Sequence, residues 1–578
     1  MLKINFRNIA FTLLFLTIPL KLWAQTRTVG LFNNDTALAY KGYTLMAPMQ
    51  YMSTYLINDE GKIVHKWSKS NYPPGRSVYL LSNGNLLRTC SIRNDSVDTG
   101  GGDGGRIEEY NWNDSLIWSF SYSSTSYLAH HDIKLLPNGN ILLLAVEKKT
   151  ISQMLTAGFD TSRFQSDIHT KGYILPDYVI EVQPTYPSGG NIVWEWHAWD
   201  HMIQDFDANK SNYGVVSAHP ELINTMGGLD SAGGGQLPTF WNHMNSISYD
   251  PKFDQILLSC RVFSEIWIID HSTTTEQAAG HTGGKYGYGG DILYRWGNPI
   301  CYRMGAKGNE MLFQQHDADW IDTLSPGSRN LLVFNNGLGR NYTSVDQLIL
   351  PVDSLGFYYR APGTAFGPAN LKWTYSATPQ NSFFCTDLGG AQRLPNGNTL
   401  IDNGILGNLF EVTSDGQTVW HYVNPVGRTG PLYWDNVIPQ DPTHPGQYLN
   451  EVFRVQRYSS TYPGLMGKDL TPGDYIELYE TSVNEKTNQT PIDFSLYQNY
   501  PNPFNPSTKI EYHLQYSGKV KLEIYSVLGV RIRSLVNQFQ QAGDYSVEFN
   551  GSGLPSGCYF YKLTIDNRTN IKKMDFVK

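Results

Sequence analysis

Three segments share one run of apolar and polar positions: LSNGNLLRT (81–89), LPNGNILLL (136–144) and LPNGNTLID (394–402). Each predicts a strand, an Asn-Gly turn and a second strand, because Asn and Gly accept the positive φ of a tight hairpin. A further apolar run follows each: GRIEEYNW from Gly105, PDYVIEVQP from Pro176 and GNLFEVTS from Gly407. A last run carries tryptophan: LIWSFSY from Leu116, NIVWEWHAW from Asn191 and TVWHYVNP from Thr418. Looser copies start at Met244 (MNSISYDPKFDQILLSC, then SEIWIIDH and DILYRWGNP) and at Asp317 (DADWIDTLSPGSRNLLVFNNG, then DQLILPVDS and LKWTYSA). Four short strands per repeat is the unit of a β-propeller blade.

Five such units run along residues 78–425, and a sixth is split between the chain ends. LNEVFRVQRYS (449–459) supplies its inner strands, and TYLINDEGKIVHKW (54–67) supplies its outer pair. Joining the two ends in one blade closes the ring and removes free sheet edges. The expectation is an all-β chain with a six-bladed propeller over residues 28–480, five and seven blades being the alternatives. A polar linker follows at 481–491. Alternating strands with turn clusters over 492–578 predict a small C-terminal β-sandwich.

Composition sharpens this picture in three places. Charged residues are only 17% and aromatics 13%, the balance of a strand-rich chain. A net charge of −8 with no basic stripe argues against a nucleic-acid partner. The N-terminus has Lys3 and Arg7, an apolar run from Ile9 to Leu20, and Leu22-Trp23-Ala24 before Gln25. That pattern predicts a secretory signal peptide over 1–24, with an uncleaved anchor as the alternative. No later window has the apolar length of a membrane span, so no transmembrane segment is expected in the mature chain. The five cysteines are widely spaced without a CxxC, which does not support a zinc site. No cofactor is expected, and the glycines of TGGGDGGR (99–106) read as a turn because no helix follows them.

Candidate chemistry collects where the innermost strands begin. AHHDIKLLPNGN holds His130 and His131, NHMNSISYDP holds His243 and Asn245, and QHDADWID holds His316 and Asp317. Aligning the strands puts His131, His243 and His316 at corresponding positions, where three neighbouring blades converge. Side chains alternate along a strand, so His130 is expected on the opposite face unless the register shifts by one. Arg261 lies past the next strand of the same unit. Asn336 and Arg340 hold a similar place one unit on, and Arg393 is a weaker candidate from the fifth unit. A guanidinium beside neutral imidazoles suits a tetrahedral oxyanion better than a cation. One imidazole could then be a nucleophile toward a sulfuryl or phosphoryl centre. Two other readings remain open: a non-catalytic secreted propeller binding glycans or sulfated ligands, and a metal or quinone oxidoreductase propeller.

These stretches resemble the bacterial arylsulfate sulfotransferase family, which uses no nucleotide sulfate. The resemblance rests on HHDIKLLPNGNILLL, NHMNSISYDPKFDQILLSCR, EIWIID, LYRWGNP, QQHDADWI and GNLFEV. It implies a six-bladed propeller and ping-pong transfer of a sulfuryl group from a phenolic sulfate ester to a phenol, through a sulfohistidine. It also implies His316 as nucleophile, with His243, Asn245, Arg261 and His131 (His130 in second place) around the sulfate. Trp241, Phe240, Phe334 and Tyr342 are candidates for an aromatic donor pocket. Only about 30 residues separate the signal segment from the first propeller strand, too few for the N-terminal sandwich used in dimerisation by family members. At the other end, YPNPFNPSTKIEY (500–512), VKLEIYSVLGVRIRSL (520–535) and LPSGCYFYKL (554–563) resemble a type IX secretion sorting domain. That resemblance implies the type IX machinery as partner and an address at the cell surface or outside the cell.

Overall fold

The computed structural model describes residues 27–578 apart from 93, 95, 100, 103, 231–235, 442–447, 480–493, 515–516, 527–529 and 566–567. The expected signal segment and linker lie outside the described residues. The chain divides into two compact units, before and after residue 480.

The larger unit is a β-propeller built from six antiparallel sheets, each with the four-strand meander of a blade. The first holds Pro74–Leu80, Leu86–Ser91, Gly105–Tyr110 and Leu116–Ser121. The second holds Tyr127–Leu135, Ile141–Glu147, Asp177–Pro184 and Gly190–His197. The third holds Met244–Asp250, Gln255–Cys260, Glu265–Asp270 and Tyr294–Trp296. The fourth holds Asp317–Trp320, Leu331–Asn335, Ser344–Leu348 and Trp373–Tyr375. The fifth holds Gly390–Arg393, Thr399–Asn403, Asn408–Val412 and Thr418–Val423, with Gly30–Asn34 added outside.

The sixth sheet joins the two ends of this unit, in the order Gln456–Ser459, Gly42–Met46, Thr54–Ile57, Ile63–Trp67. Its make-up differs from the sequence expectation by one strand: the second comes from Gly42–Met46, not from the 449–459 stretch. Residues 451–453 instead spend their backbone groups on neighbouring loops, with Met49 N–H donating to Glu451 O, Val452 N–H to Gly404 O and Gly389 N–H to Phe453 O.

The repeated NGN turn has a physical basis beyond its glycine. Gly84, Gly139 and Gly397 take φ of 87°, 88° and 93°, which a side chain would strain. The first Asn side chain caps the turn, accepting from the backbone N–H two residues on in all three copies. The second Asn reaches to the third strand, where Asn85 donates to Glu109, Asn140 to Glu181 and Asn398 to Glu411. The repeat thus pairs NGN with the glutamate of EEY, IEV or FEV.

The outer tryptophans link the sheets. One indole N–H per sheet donates to a carbonyl ahead of the next sheet's outermost strand: Trp67 to Asn111, Trp118 to Gly189, Trp196 to Gly290, Trp296 to Pro368 and Trp373 to Ser414. Trp420 then donates to Asp59 O at 2.8 Å, back in the sheet that holds Trp67. Trp420 is fully buried, so Trp420→Phe removes a donor and some packing volume together. Urea unfolding is expected to show a loss of about 1–3 kcal/mol; an unchanged midpoint would mean the link contributes nothing.

In the smaller unit, Phe494–Leu496, Ser507–Leu514 and Gly543–Asn550 form one sheet. Gly518–Ser526, Arg531–Gln540, Gly557–Ile565 and Arg568–Phe576 form another. Both contribute to a common core that includes Tyr512, Ile524, Tyr561 and Phe576. All five cysteines are free thiols. Among the described residues no helix is long and apolar enough to cross a membrane.

Candidate active site

The innermost strands deliver their histidines through a shared kink. His131 and His243 have φ of +50° and +52°, and Gln314, two residues before His316, has +54°. Left-handed backbone is uncommon outside glycine and marks positions held by their surroundings. The kink also breaks simple alternation. His130 does not face away from His131, as the strand period predicts; their Nδ1 atoms lie 2.8 Å apart, and the ladder shifts register beside them. His130 stands behind, with Nε2 3.0 Å from Asp177 Oδ1. Asp177 also accepts from Met244 N–H, so one buried carboxylate holds the histidine-bearing ends of two sheets.

His131 and His243 face each other with ring centroids 5.1 Å apart, and Phe240 stacks on His243 at 4.3 Å. Burial pushes both imidazoles well below their ordinary pKa, and neighbouring guanidinium groups add to it, Arg76 for His131 and Arg261 for His243. Both rings are therefore neutral at neutral pH. Gly102 lies against His131, where a Cβ would come 2.5 Å from Cε1; the glycine loop read as a plain turn is packed on the site.

His316 is buried and held at both nitrogens. Asn336 Nδ2 donates to Cys385 O at 2.9 Å and Leu388 O at 3.0 Å, which orients its Oδ1 to accept from His316 Nδ1 at 2.9 Å. The other nitrogen, Nε2, faces Asp387 Oδ1 at 2.7 Å. Asp387 is 42% exposed and also lies 3.8 Å from Arg261 Nε. Burial pushes its carboxyl up, but His316 and then Arg261 outweigh this and hold it well below the usual carboxylate range. Arg261 keeps a buried Nε with no hydrogen-bond partner, while its backbone N–H donates to His243 O. Asn245 donates to Gln315 O at 2.8 Å and so ties down the residue before His316.

Beneath the histidines, the residues that follow His131 and His316 turn to a buried cation. Arg454 lies 2.8 Å from Asp132 Oδ2 and 3.2 Å from Asp317 Oδ1. Arg454 comes from the segment leading to the closing strand, so this triad joins three parts of the ring.

The structure brings together His130, His131, His243, Asn245, Arg261, His316 and Asn336. Two expected residues are elsewhere. Arg340 turns back on its own loop, donating to Tyr342 O and Ser344 Oγ with its guanidinium over the Phe313 and Tyr342 rings. Arg393 sits at the turn end of its strand, opposite Thr399, against Trp373 and Gln347. Of the four aromatics expected in a donor pocket, only Phe240 touches the histidines. Trp241 is buried behind it against Phe159 and Phe263, Phe334 packs on Phe383, and Tyr342 lies under Arg340. Phe453, 5.9 Å from His131, takes the place of the others.

Two charged residues were missed. Arg76 depresses the pKa of His131, and aligning the first two units on their NGN turns sets Arg76 at the position of His131, a signal present in the chain. Asp387 has no counterpart in other units; only the folded loop brings it to His316.

The protein is similar to known proteins at two levels. Residues 498–576 match the model for a secretion system C-terminal sorting domain, which marks a chain exported to the cell surface or secreted through the type IX route. Among curated proteins no sequence matches. Solved structures with similar folds include a protein of unknown function from Bacteroides caccae (12% identity, 72% of this chain and 98% of that one, TM-score 0.37). Virginiamycin B lyase from Staphylococcus aureus (7%, 70% and 91%, 0.28) and the Dos1 propeller (10%, 69% and 86%, 0.26) are others. Residues 33–428, well over half of the chain and including every residue of the histidine cluster, match the model for Arylsulfotransferase (ASST), and the protein belongs to that family.

Proposed function

We propose that the protein moves a sulfuryl group from a phenolic sulfate ester to a phenol by a ping-pong route through a sulfohistidine at His316. The observation that carries this reading is the orientation of His316. Its Nδ1–H is committed to Asn336 Oδ1, so the lone pair of the neutral ring lies on Nε2, toward Arg261 and the exposed side of the cluster. Around that atom, Arg261 and neutral His131 and His243 supply donors for the equatorial oxygens of a sulfuryl group in flight. Phe240 and Phe453 supply apolar surface for an aryl ring.

Asp387 completes the proton balance. At 2.7 Å its carboxylate and a bare Nε2 would repel, so one proton lies between them in the resting site. As the donor enters, that proton passes by way of the Asp387 carboxylate to the bridging oxygen of the ester, which frees Nε2. Nε2 then attacks sulfur as the S–O bond to the aryl group breaks, the phenol departs with the proton, and Asp387 is left as a carboxylate. In the second half, Asp387 takes the proton of the acceptor phenol, whose oxygen attacks sulfur as the N–S bond breaks.

Brief exposure to a nitrophenyl sulfate, followed by intact mass measurement and peptide mapping, tests the reading. The expected result is one sulfuryl group on His316, discharged on adding phenol. Release of nitrophenol with no adduct, or an adduct on another residue, would overturn it.

A further inference from the structure

A second cluster of ligating side chains stands apart from the funnel histidines, at the outer rim between the second and third sheets. Among the described residues, His201, His281 and Asp291 place one ligand atom each within 4.8 Å of one another. His201 ends a short turn, Ala198–His201, after the outermost strand of the second sheet. His281 and Asp291 belong to the long connection before Tyr294–Trp296 in the third.

The hydrogen-bond pattern of His201 is the informative part. Its Nε2 lies 2.8 Å from Ala278 O, and a carbonyl only accepts, so Nε2 carries the hydrogen. The lone pair of the neutral ring is then on Nδ1, which faces Asp291 Oδ1 at 2.8 Å. Two lone pairs meet there inside the protein, because His201 and Asp291 are both buried. A proton or a metal ion has to lie between them. His281, 59% exposed, brings its Nδ1 to the same Asp291 oxygen at 2.8 Å from the solvent side.

Two imidazole nitrogens and one carboxylate oxygen are a zinc donor set, and a backbone carbonyl on the far nitrogen is the usual second partner of a ligating histidine. Zinc bonds of about 2.0–2.2 Å separate ligand atoms by roughly 3.3 Å, so an ion would need each contact to open by about half an ångström. His281 borders a cavity of about 750 Å³, also lined by Trp199 and His219, which leaves room for a fourth ligand from solvent. The surroundings hold His201 in place. Trp196 stacks on its ring, and Gly290 lies so close that a Cβ would come within 2.7 Å of its Nε2.

We propose that His201 Nδ1, His281 Nδ1 and Asp291 Oδ1 form a zinc site that fastens the long connection of the third sheet to the rim of the second.

The test uses the full chain, stripped with a chelator and titrated with zinc by calorimetry, with bound metal counted after gel filtration. One zinc per chain is expected in the wild type and in His316→Ala, together with a raised melting temperature. His281→Ala, at an exposed position, is expected to weaken binding at least tenfold and to lose the melting shift, and Asp291→Asn to do the same. Absence of stoichiometric zinc, equal binding in His281→Ala, or loss of zinc in His316→Ala would overturn the proposal. The last outcome would place the ion among the funnel histidines.

Discussion

His316→Ala is expected to lower aryl sulfate turnover by at least about a thousandfold and to abolish the mass adduct, because no other group in the cluster replaces a lost nucleophile. The remaining donors would still bind sulfate, so a phenolic ester should still protect the variant against thermal unfolding. Turnover within tenfold of wild type would sink the role given to His316. Asp387→Asn separates the proton from the nucleophile. A nitrophenolate leaves without being protonated, so adduct formation should persist in that variant. Discharge to phenol needs a base and should slow by about a hundredfold. Equal slowing of both halves would mean that Asp387 only shapes the site.

The second large effect is on stability. Arg454→Met is expected to lower unfolding free energy by about 3–5 kcal/mol, because it leaves Asp132 and Asp317 buried without their shared cation. The two carboxylates are not equivalent. Asp132 also accepts from the Tyr79 hydroxyl and Ile247 N–H, and with Arg454 these outweigh burial and hold its pKa low. Asp317 is raised to about 6 by burial, which Arg454 only partly offsets. Adding Asp317→Asn to Arg454→Met should therefore recover part of the loss. Urea unfolding of the three proteins measures this, and an Arg454→Met chain as stable as wild type would show that the triad adds nothing to the ring.

Much of this architecture could be read from the chain because its repeats are local. LPNGN followed by a glutamate strand and a tryptophan strand states a blade within some fifty residues, since each hydrogen bond it encodes is made inside one sheet or to the next. The alignment of His131, His243 and His316 followed from the same repeat. The repeat loses its meaning where local geometry departs from it. His130 seemed to face away because strand alternation cannot foresee the left-handed kink at His131. Arg393 shares a strand with the funnel end but sits at its turn end, opposite Thr399, too far along to reach the histidines. Asp387 was passed over because a carboxylate in CTDLGG has no periodic signal, and its meaning lies wholly in the 2.7 Å to His316.

The sheet closed by Gln456–Ser459 has a consequence for timing. This strand and Arg454 are among the last propeller residues to leave the ribosome, and each pairs with segments made hundreds of residues earlier. Until they arrive the ring is open at one seam, Asp132 and Asp317 lack their cation, and the histidine ends above them have no fixed spacing. A chain that has not yet added these residues therefore holds its histidines unassembled, and closing the seam both completes the fold and sets the spacing of the cluster.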